Sequence, residues 1–213
     1  TAGACSFVKL AVTVGFDARL VVRALANIPG RDVVLVRGAT GGEGDAKSRE
    51  AAAEIIKALG RGAEYVVDLR DPAVGLRQLY DLQFDEIALA GGPRLLVVLG
   101  FVAAAVKGAK IYVVPEYGSD VIDISGLAAL GRLTALSSAK LAVLASIDGE
   151  ADAETVARRL GLDPSTVYRH LDSLEEAGVV RSKGRRGKKY QVDRLVATLS
   201  SLILEKKRGG AVL

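Results

Sequence analysis

The sequence predicts an α/β chain in two parts, a doubly wound parallel sheet followed by a small α+β winged helix-turn-helix domain. Three observations carry that reading. Residues 1–125 alternate short β-branched apolar runs with amphipathic stretches of helix length. Residues 137–192 run helix, helix, turn, helix, β-hairpin. Charge is also divided: residues 1–131 hold 14 Lys/Arg and 15 Asp/Glu, whereas residues 132–213 hold 15 and 10. Strand–helix alternation builds a parallel sheet with helices on both faces. A basic second half suits a polyanionic partner. The expected boundaries are 1–125 for the sheet domain, 126–136 for a connector and 137–213 for the winged domain.

In the first part, VKLAVTV (Val8–Val14), DVVLVRG (Asp32–Gly38), EYVVDL (Glu64–Leu69), DEIALAG (Asp85–Gly91) and KIYVVPE (Lys110–Glu116) read as strands. They lack regular polar alternation, as strands covered on both faces do. Helices fall at about Asp17–Asn27, Asp45–Leu59, Pro72–Leu82 and Pro93–Lys107. Asp17, Asp45 and Asp71 are the expected N-caps, and Gly60 and Gly108 the stops. The uncharged run Leu95–Val106, 12 residues long, is too short to span a bilayer and reads as a buried helix. VIDI (Val121–Ile124) is expected to pair with the fifth strand as a hairpin. Gly126–Leu136, short and Leu-rich, reads as a connector that packs as a helix.

In the second part, LSSAKLAVLASI and DAETVARRLGL give the first two helices. The third lies in DPSTVYRHLDSLEEAGVV (Asp163–Val180), with Asp163 as N-cap and Pro164 at the first helical position, where its missing N–H is harmless. Val167, Leu171 and Leu174 recur at i, i+4 and i+7 and form the buried face. Val179–Lys183 and Lys188–Val192 form a hairpin around GRRG. Asp193–Lys207 closes the chain as a helix with Leu195, Val196, Leu199, Leu202 and Ile203 on one face, most simply a dimerisation element.

The third helix leaves Ser165, Thr166, Tyr168, Arg169 and Asp172 near its outer face. The N-terminal residues of such a helix reach base edges in the major groove. Arg169 suits guanine O6 and N7, while Ser165 and Thr166 suit phosphates. RSKGRRGKK (Arg181–Lys189) has six cations in nine residues and no acid. A solvated turn needs no such excess, so Lys183, Arg185, Arg186, Lys188 and Lys189 are expected to meet DNA. If about four cations pair with phosphates, affinity falls with roughly the 3.6 power of salt per subunit. His170 reads as packed or bonded to backbone rather than as a switch. AETVARRLGLDPSTVYRHLDSLEEAGVVR and its surroundings, about 60 residues, resemble the MarR/ArsR-type winged helices. That resemblance implies a dimer on palindromic double-stranded DNA.

In an open doubly wound sheet, ligands lie beyond the carboxyl ends of the strands where strand order reverses, here the first and fourth strands. The loops there are TVGFDAR (Thr13–Arg19) and AGGPR (Ala90–Arg94), each with glycine where backbone must be approached closely. The helix start after Gly91-Gly92-Pro93, with Arg94, makes an anion site. GATGGEGD (Gly38–Asp45) overlooks the same crevice. Each loop is equally readable as a tight βα turn without ligand. A dinucleotide site is the rival: VGFDAR has one of the three glycines of G-x-G-x-x-G, and the second strand ends on Arg37, which suits NADP rather than NAD. GATGGEGDAK does not have the frame of a P-loop.

Composition excludes several classes. A single cysteine, Cys5, and a single histidine, His170, leave no internal disulfide, no Cys/His zinc cluster and no Ser-His-Asp arrangement outside the winged region. Thr1–Ser6 lacks the basic segment of a signal peptide, so a cytoplasmic protein is expected. One Asn, three Gln and no Met suggest a thermophile, although high-GC codon bias gives a similar profile.

TVGFDARLVVRAL after the first strand, AGGPRLLVVLGFVAA at the fourth, and the winged helix together resemble the archaeal CRISPR-associated transcription regulators. These join a CRISPR-associated Rossmann-fold (CARF) domain to a MarR-like winged helix. The resemblance covers nearly the whole chain and implies antiviral defence. It also implies a homodimer that binds a cyclic oligoadenylate, typically the tetra-adenylate, across a two-fold axis. By position the ligand would meet Thr13, Gly15, Phe16, Asp17, Gly91, Gly92, Pro93 and Arg94. Ala90-Gly91-Gly92-Pro93 departs from a more polar T-x-G-x-R-like loop. Arg94 would face phosphate and Phe16 stack on a base. No resident cofactor and no metal is expected; the alternatives are a nucleotide-binding enzyme, either NADP-type or a slow ring nuclease, and an architectural DNA-binding protein.

Overall fold

The computed structural model describes residues 9–28, 32–118, 120–184 and 187–209. The chain divides into two compact units, residues 1–125 and 126–213.

The first unit is a six-stranded sheet with helices on both faces. Its strands are β1 (Lys9–Thr13), β2 (Asp32–Ala39), β3 (Ala63–Asp68), β4 (Glu86–Leu89), β5 (Lys110–Val113) and β6 (Ile122–Asp123), in the order β3-β2-β1-β4-β5-β6. The first five are parallel, and β6 runs antiparallel to β5 with Val113 opposite Ile122. β1 lies between β2 and β4, registering Thr13 on Val36 and Val12 on Ala88. Strand order therefore reverses between β1 and β4, where the sequence placed the crevice.

The crossovers are α1 (Ala18–Asn27), α2 (Gly44–Leu59), α3 (Pro72–Asp81) and α4 (Arg94–Lys107). α1 and α2 bury Val21, Ala24, Ala52 and Ile55 against Leu10, Val12, Val14 and Leu35. The residues of opposite phase turn to the other face, where the backbone of α4 at Gly100 comes close to Thr13, Ile87 and Leu89. Asp17 and Asp71 cap α1 and α3, accepting from Arg19 N and from Ala73 N respectively, and left-handed Gly60 and Gly108 end α2 and α4. Asp45 departs from expectation. The cap position of α2 is Glu43, and Asp45 lies inside the first turn. Its carboxylate reaches back to accept from Thr40 N, Thr40 Oγ1 and Gly41 N at 2.8–3.1 Å, stapling the loop that precedes the helix.

The second unit contains α5 (Leu130–Thr134), α6 (Ser138–Ala145), β7 (Glu150–Asp152), α7 (Ala153–Leu160), α8 (Pro164–Glu176), β8 (Arg181–Lys183), β9 (Lys189–Gln191) and α9 (Arg194–Gly209). A short 3₁₀ turn, Ser125–Ala129, precedes α5. Leu133, Leu141, Leu144, Ile147, Val156, Val167, Leu171, Leu174 and Tyr190 fill one core. The three-stranded sheet has the order β7-β9-β8; its strand β7 has no counterpart in the sequence-based expectation. Asp163 caps α8 through Ser165 N at 2.8 Å, with Pro164 at its first turn. α9 buries Val196, Ser200 and Leu204, whereas Leu202 is 55% exposed. The buried stripe is thus rotated from the expected one, because Ser200 enters the core by donating its hydroxyl to Val196 O at 2.7 Å.

Candidate functional site

The crevice of the first unit is built by two loops that lock together. Thr13, at the end of β1, is fully buried, and its hydroxyl oxygen accepts from Ala90 N at 3.0 Å and Gly91 N at 3.2 Å. Thr13 therefore holds the β4–α4 loop in place from beneath. The glycines have the same cause. A Cβ on Gly15 would lie 2.6 Å from Gly92 N, and one on Gly91 3.3 Å from Gly15 N. Gly92 has φ +104°, and a Cβ there would lie 2.9 Å from Val14 O. The close approach anticipated at these glycines is that of one loop to the other, backbone against backbone, which only glycine permits.

Each of the two locked loops carries an exposed side chain, Phe16 after β1 and Arg94 after β4. Phe16 is 67% exposed, and its ring edge lies against Gly44, where a Cβ would meet Cζ at 2.9 Å. The β2–α2 loop thereby lines the same crevice. Pro93 precedes α4 and gives it no side-chain cap. The first-turn N–H groups there have no side-chain acceptor, and Arg94 is exposed without a salt bridge among the described residues. A positive helix end beside a free guanidinium favours an anion.

Asp17 is engaged within its own loop. Its carboxylate accepts from Arg19 N, Nε and Nη2 at 2.8–2.9 Å, and these hydrogen bonds hold its pKa below the usual carboxylate value. It orders the loop and holds Arg19 rather than offering a free charge. Asp68 and Arg70 repeat the arrangement at the end of β3, with Arg70 Nε and Nη2 donating at 2.9 and 2.6 Å; Asp68 is drawn down to about 2 by its hydrogen bonds to Arg70. Sequence reasoning passed over both arginines, although D-A-R (17–19) and D-L-R (68–70) announce the pattern. Arg37, the residue that suited NADP, is ion-paired with Glu64 on the neighbouring strand and mostly buried. Its charge is already engaged by that carboxylate.

α4 carries a second feature. Its outer stripe exposes Val98 and Val106 by 57% and 68%, with Leu95, Phe101 and Val102 half-buried beside them. The run expected to form a buried helix is covered on one side only.

In the second unit, Ser165, Tyr168 and Arg169 are exposed on α8, and Thr166 is half-buried with its hydroxyl 3.5 Å from Arg169 Nη2. The cations of the hairpin are not equivalent. Arg181 and Lys183 are exposed and make no salt bridge among the described residues. Lys188 donates to Glu175 Oε2 at 2.8 Å and lies 3.5 Å from Asp172 Oδ1. Lys189 pairs with Glu150 Oε1 at 3.1 Å, and its pull, with that of Gln191, lowers the Glu150 pKa. Arg185 and Arg186 lie outside the described residues. Among the described residues no cluster of three or more His, Cys, Asp or Glu could hold a metal, and no helix is long and apolar enough to cross a membrane.

Residues 8–125 match the Csa3 CRISPR-associated Rossmann-like domain, and residues 136–183 match a helix-turn-helix domain. A protein of Thermoproteus tenax, the CRISPR locus-related protein Csa3, whose name assigns it DNA binding, is 41% identical over 196 residues, covering 92% of this chain and 96% of that protein. Among solved structures, the organohalide-sensing regulator RdhR-CbdbA1625 is 21% identical with TM-score 0.32, over 42% of this chain and 59% of its own. A MarR-family regulator from Rhodococcus sp. RHA1 is 25% identical with TM-score 0.32, over 40% of this chain and 69% of its own. VC1899 from Vibrio cholerae is 10% identical with TM-score 0.44, over 93% of this chain and 65% of its own. On the extent of the sequence matches, the chain belongs to the Csa3 family of CRISPR-associated DNA-binding regulators, in which a Rossmann-like CARF domain is joined to a helix-turn-helix domain.

Proposed function

We propose that this regulator is a homodimer whose binding to a palindromic promoter site is controlled by a cyclic oligoadenylate, most simply cyclic tetra-adenylate, held at the β1 and β4 loops. The observation that carries the reading is that two loops locked together by Thr13 and three glycines carry an exposed aromatic ring, Phe16, and an exposed guanidinium, Arg94. A cyclic oligonucleotide presents phosphates and bases in alternation. Arg94 and the uncapped start of α4 suit the phosphate, and Phe16 suits the base. The apolar outer stripe of α4 begins at Arg94, so a second copy covering it would bring two such sites together around one symmetric ligand. The paired state of Arg37 counts against the NADP alternative.

Binding of the ring would reach DNA through a change in dimer geometry, for which a coupling of about 1–3 kcal/mol suffices. A thermal shift assay with cyclic tetra-adenylate, cyclic hexa-adenylate, NADP and AMP tests the sensor half. At 100-fold over its dissociation constant a true ligand adds about 2.7 kcal/mol of stability, and one ring alone should do so. A shift with neither ring would remove the sensor reading and leave the DNA-binding regulator intact.

A further inference from the structure

We infer that Lys188 is a positioning residue, which fixes the wing on α8 and makes no phosphate contact although it lies in the most basic segment of the chain. The inference uses the DNA-binding reading of the second unit and deepens it. Glu175 of α8 accepts from both sides of the β8–β9 hairpin. Ser182 Oγ donates to Oε1 at 2.5 Å, and Lys188 Nζ donates to Oε2 at 2.8 Å. Lys188 also lies 3.5 Å from Asp172 Oδ1 and 5.0 Å from the centroid of the Tyr190 ring. Tyr190 is itself in the core.

An ammonium between two carboxylates and a ring face has its charge neutralised within the protein, and its side chain is 34% exposed. The Glu175 hydrogen bond, the largest cause, moves its pKa upward, so it stays charged throughout the working pH range. Without Lys188, Asp172 and Glu175 would lose their cation among the described residues, and Glu175 would keep only the Ser182 hydroxyl of its two hydrogen bonds to the hairpin. Lys183 contrasts with it, exposed and without a salt bridge among the described residues.

The two kinds of lysine differ in salt dependence, because only a cation that neutralises a phosphate releases counterions. The test is the affinity of the full-length protein for a mixed-sequence DNA duplex across a salt series, for wild type, Lys183→Met, Lys188→Met and Lys188→Met/Glu175→Gln. Lys183→Met should reduce the salt slope by about 0.9 per subunit. Lys188→Met should weaken binding at least about fivefold with the slope unchanged, which is about 1 kcal/mol. The double variant leaves no unpaired charge on Glu175 and should recover most of that loss. A slope reduced by about 0.9 in Lys188→Met, or no recovery in the double variant, overturns the inference. Should Lys188→Met fail to fold, the slope of the double variant decides: unchanged from wild type supports the inference, reduced overturns it. Wild-type protein that binds no duplex overturns the DNA-binding reading as well, which separates the two failures.

Discussion

Replacing Thr13 by valine tests whether the crevice depends on the lock between its two loops. Valine has nearly the shape of threonine, so packing against α4 is kept, but the oxygen that accepts from Ala90 N and Gly91 N is gone. A buried donor left without a partner costs about 1–3 kcal/mol. Ala90 is buried and Gly91 only partly so, which puts the combined cost at about 2–4 kcal/mol, with Gly91 at the low end of the range. Native-state hydrogen exchange reads this locally: the Ala90 and Gly91 amides should exchange about 30- to 700-fold faster in Thr13→Val. Thr13→Ser keeps the oxygen and loses one methyl, a cost of about 1 kcal/mol felt as packing rather than as loss of protection at these two amides. Equal protection in wild type and Thr13→Val, or equal loss in Thr13→Ser, would refute the lock.

Four further outcomes follow. Arg94→Ala should remove the thermal shift with the cyclic ring while leaving DNA affinity without ligand within twofold, measured by fluorescence anisotropy. Val98→Glu combined with Val106→Glu should convert a dimer to monomer in light scattering if α4 pairs with its copy. On α9, Leu204→Ala should cost about 2–5 kcal/mol of stability in the second unit and Leu202→Ala under about 0.5, because only Leu204 is buried. The Asp68–Arg70 pair sets a pH dependence. The folded carboxyl is depressed to about 2, so its contribution is complete above the unfolded value of about 4 and is lost as pH falls through about 2. Asp68→Asn should flatten acid unfolding in that window, followed by circular dichroism.

Elements governed by local patterns were legible in the sequence. Strands buried on both faces read as unbroken apolar runs, and caps such as Asp17, Asp71 and Asp163 act on the amides next to them. β7 was not legible because Glu150-Ala151-Asp152 has no strand pattern; it is a strand only through pairing with β9. Asp45 has the residue type of a cap, but the loop before it offered three donors and won. The same limit governs the site. Gly15, Gly91 and Gly92 announced a close approach without naming the partner, which is distant in sequence. Lys188 and Lys189 counted as positive charge in a one-dimensional reading, yet their carboxylate partners lie on α8 and β7. Arg19 and Arg70 were recoverable, since each follows its aspartate by two residues.

In the proposed function, a cyclic oligoadenylate at the β1 and β4 loops alters the grip of the winged domains on DNA. The direct measurement is anisotropy titration on an operator duplex selected from random sequence, with and without saturating cyclic tetra-adenylate, for wild type and Arg94→Ala. The ring should change wild-type affinity by about 5- to 150-fold and leave Arg94→Ala unmoved. Unchanged wild-type affinity, with the ring bound in the same cuvette, would contradict the proposed function.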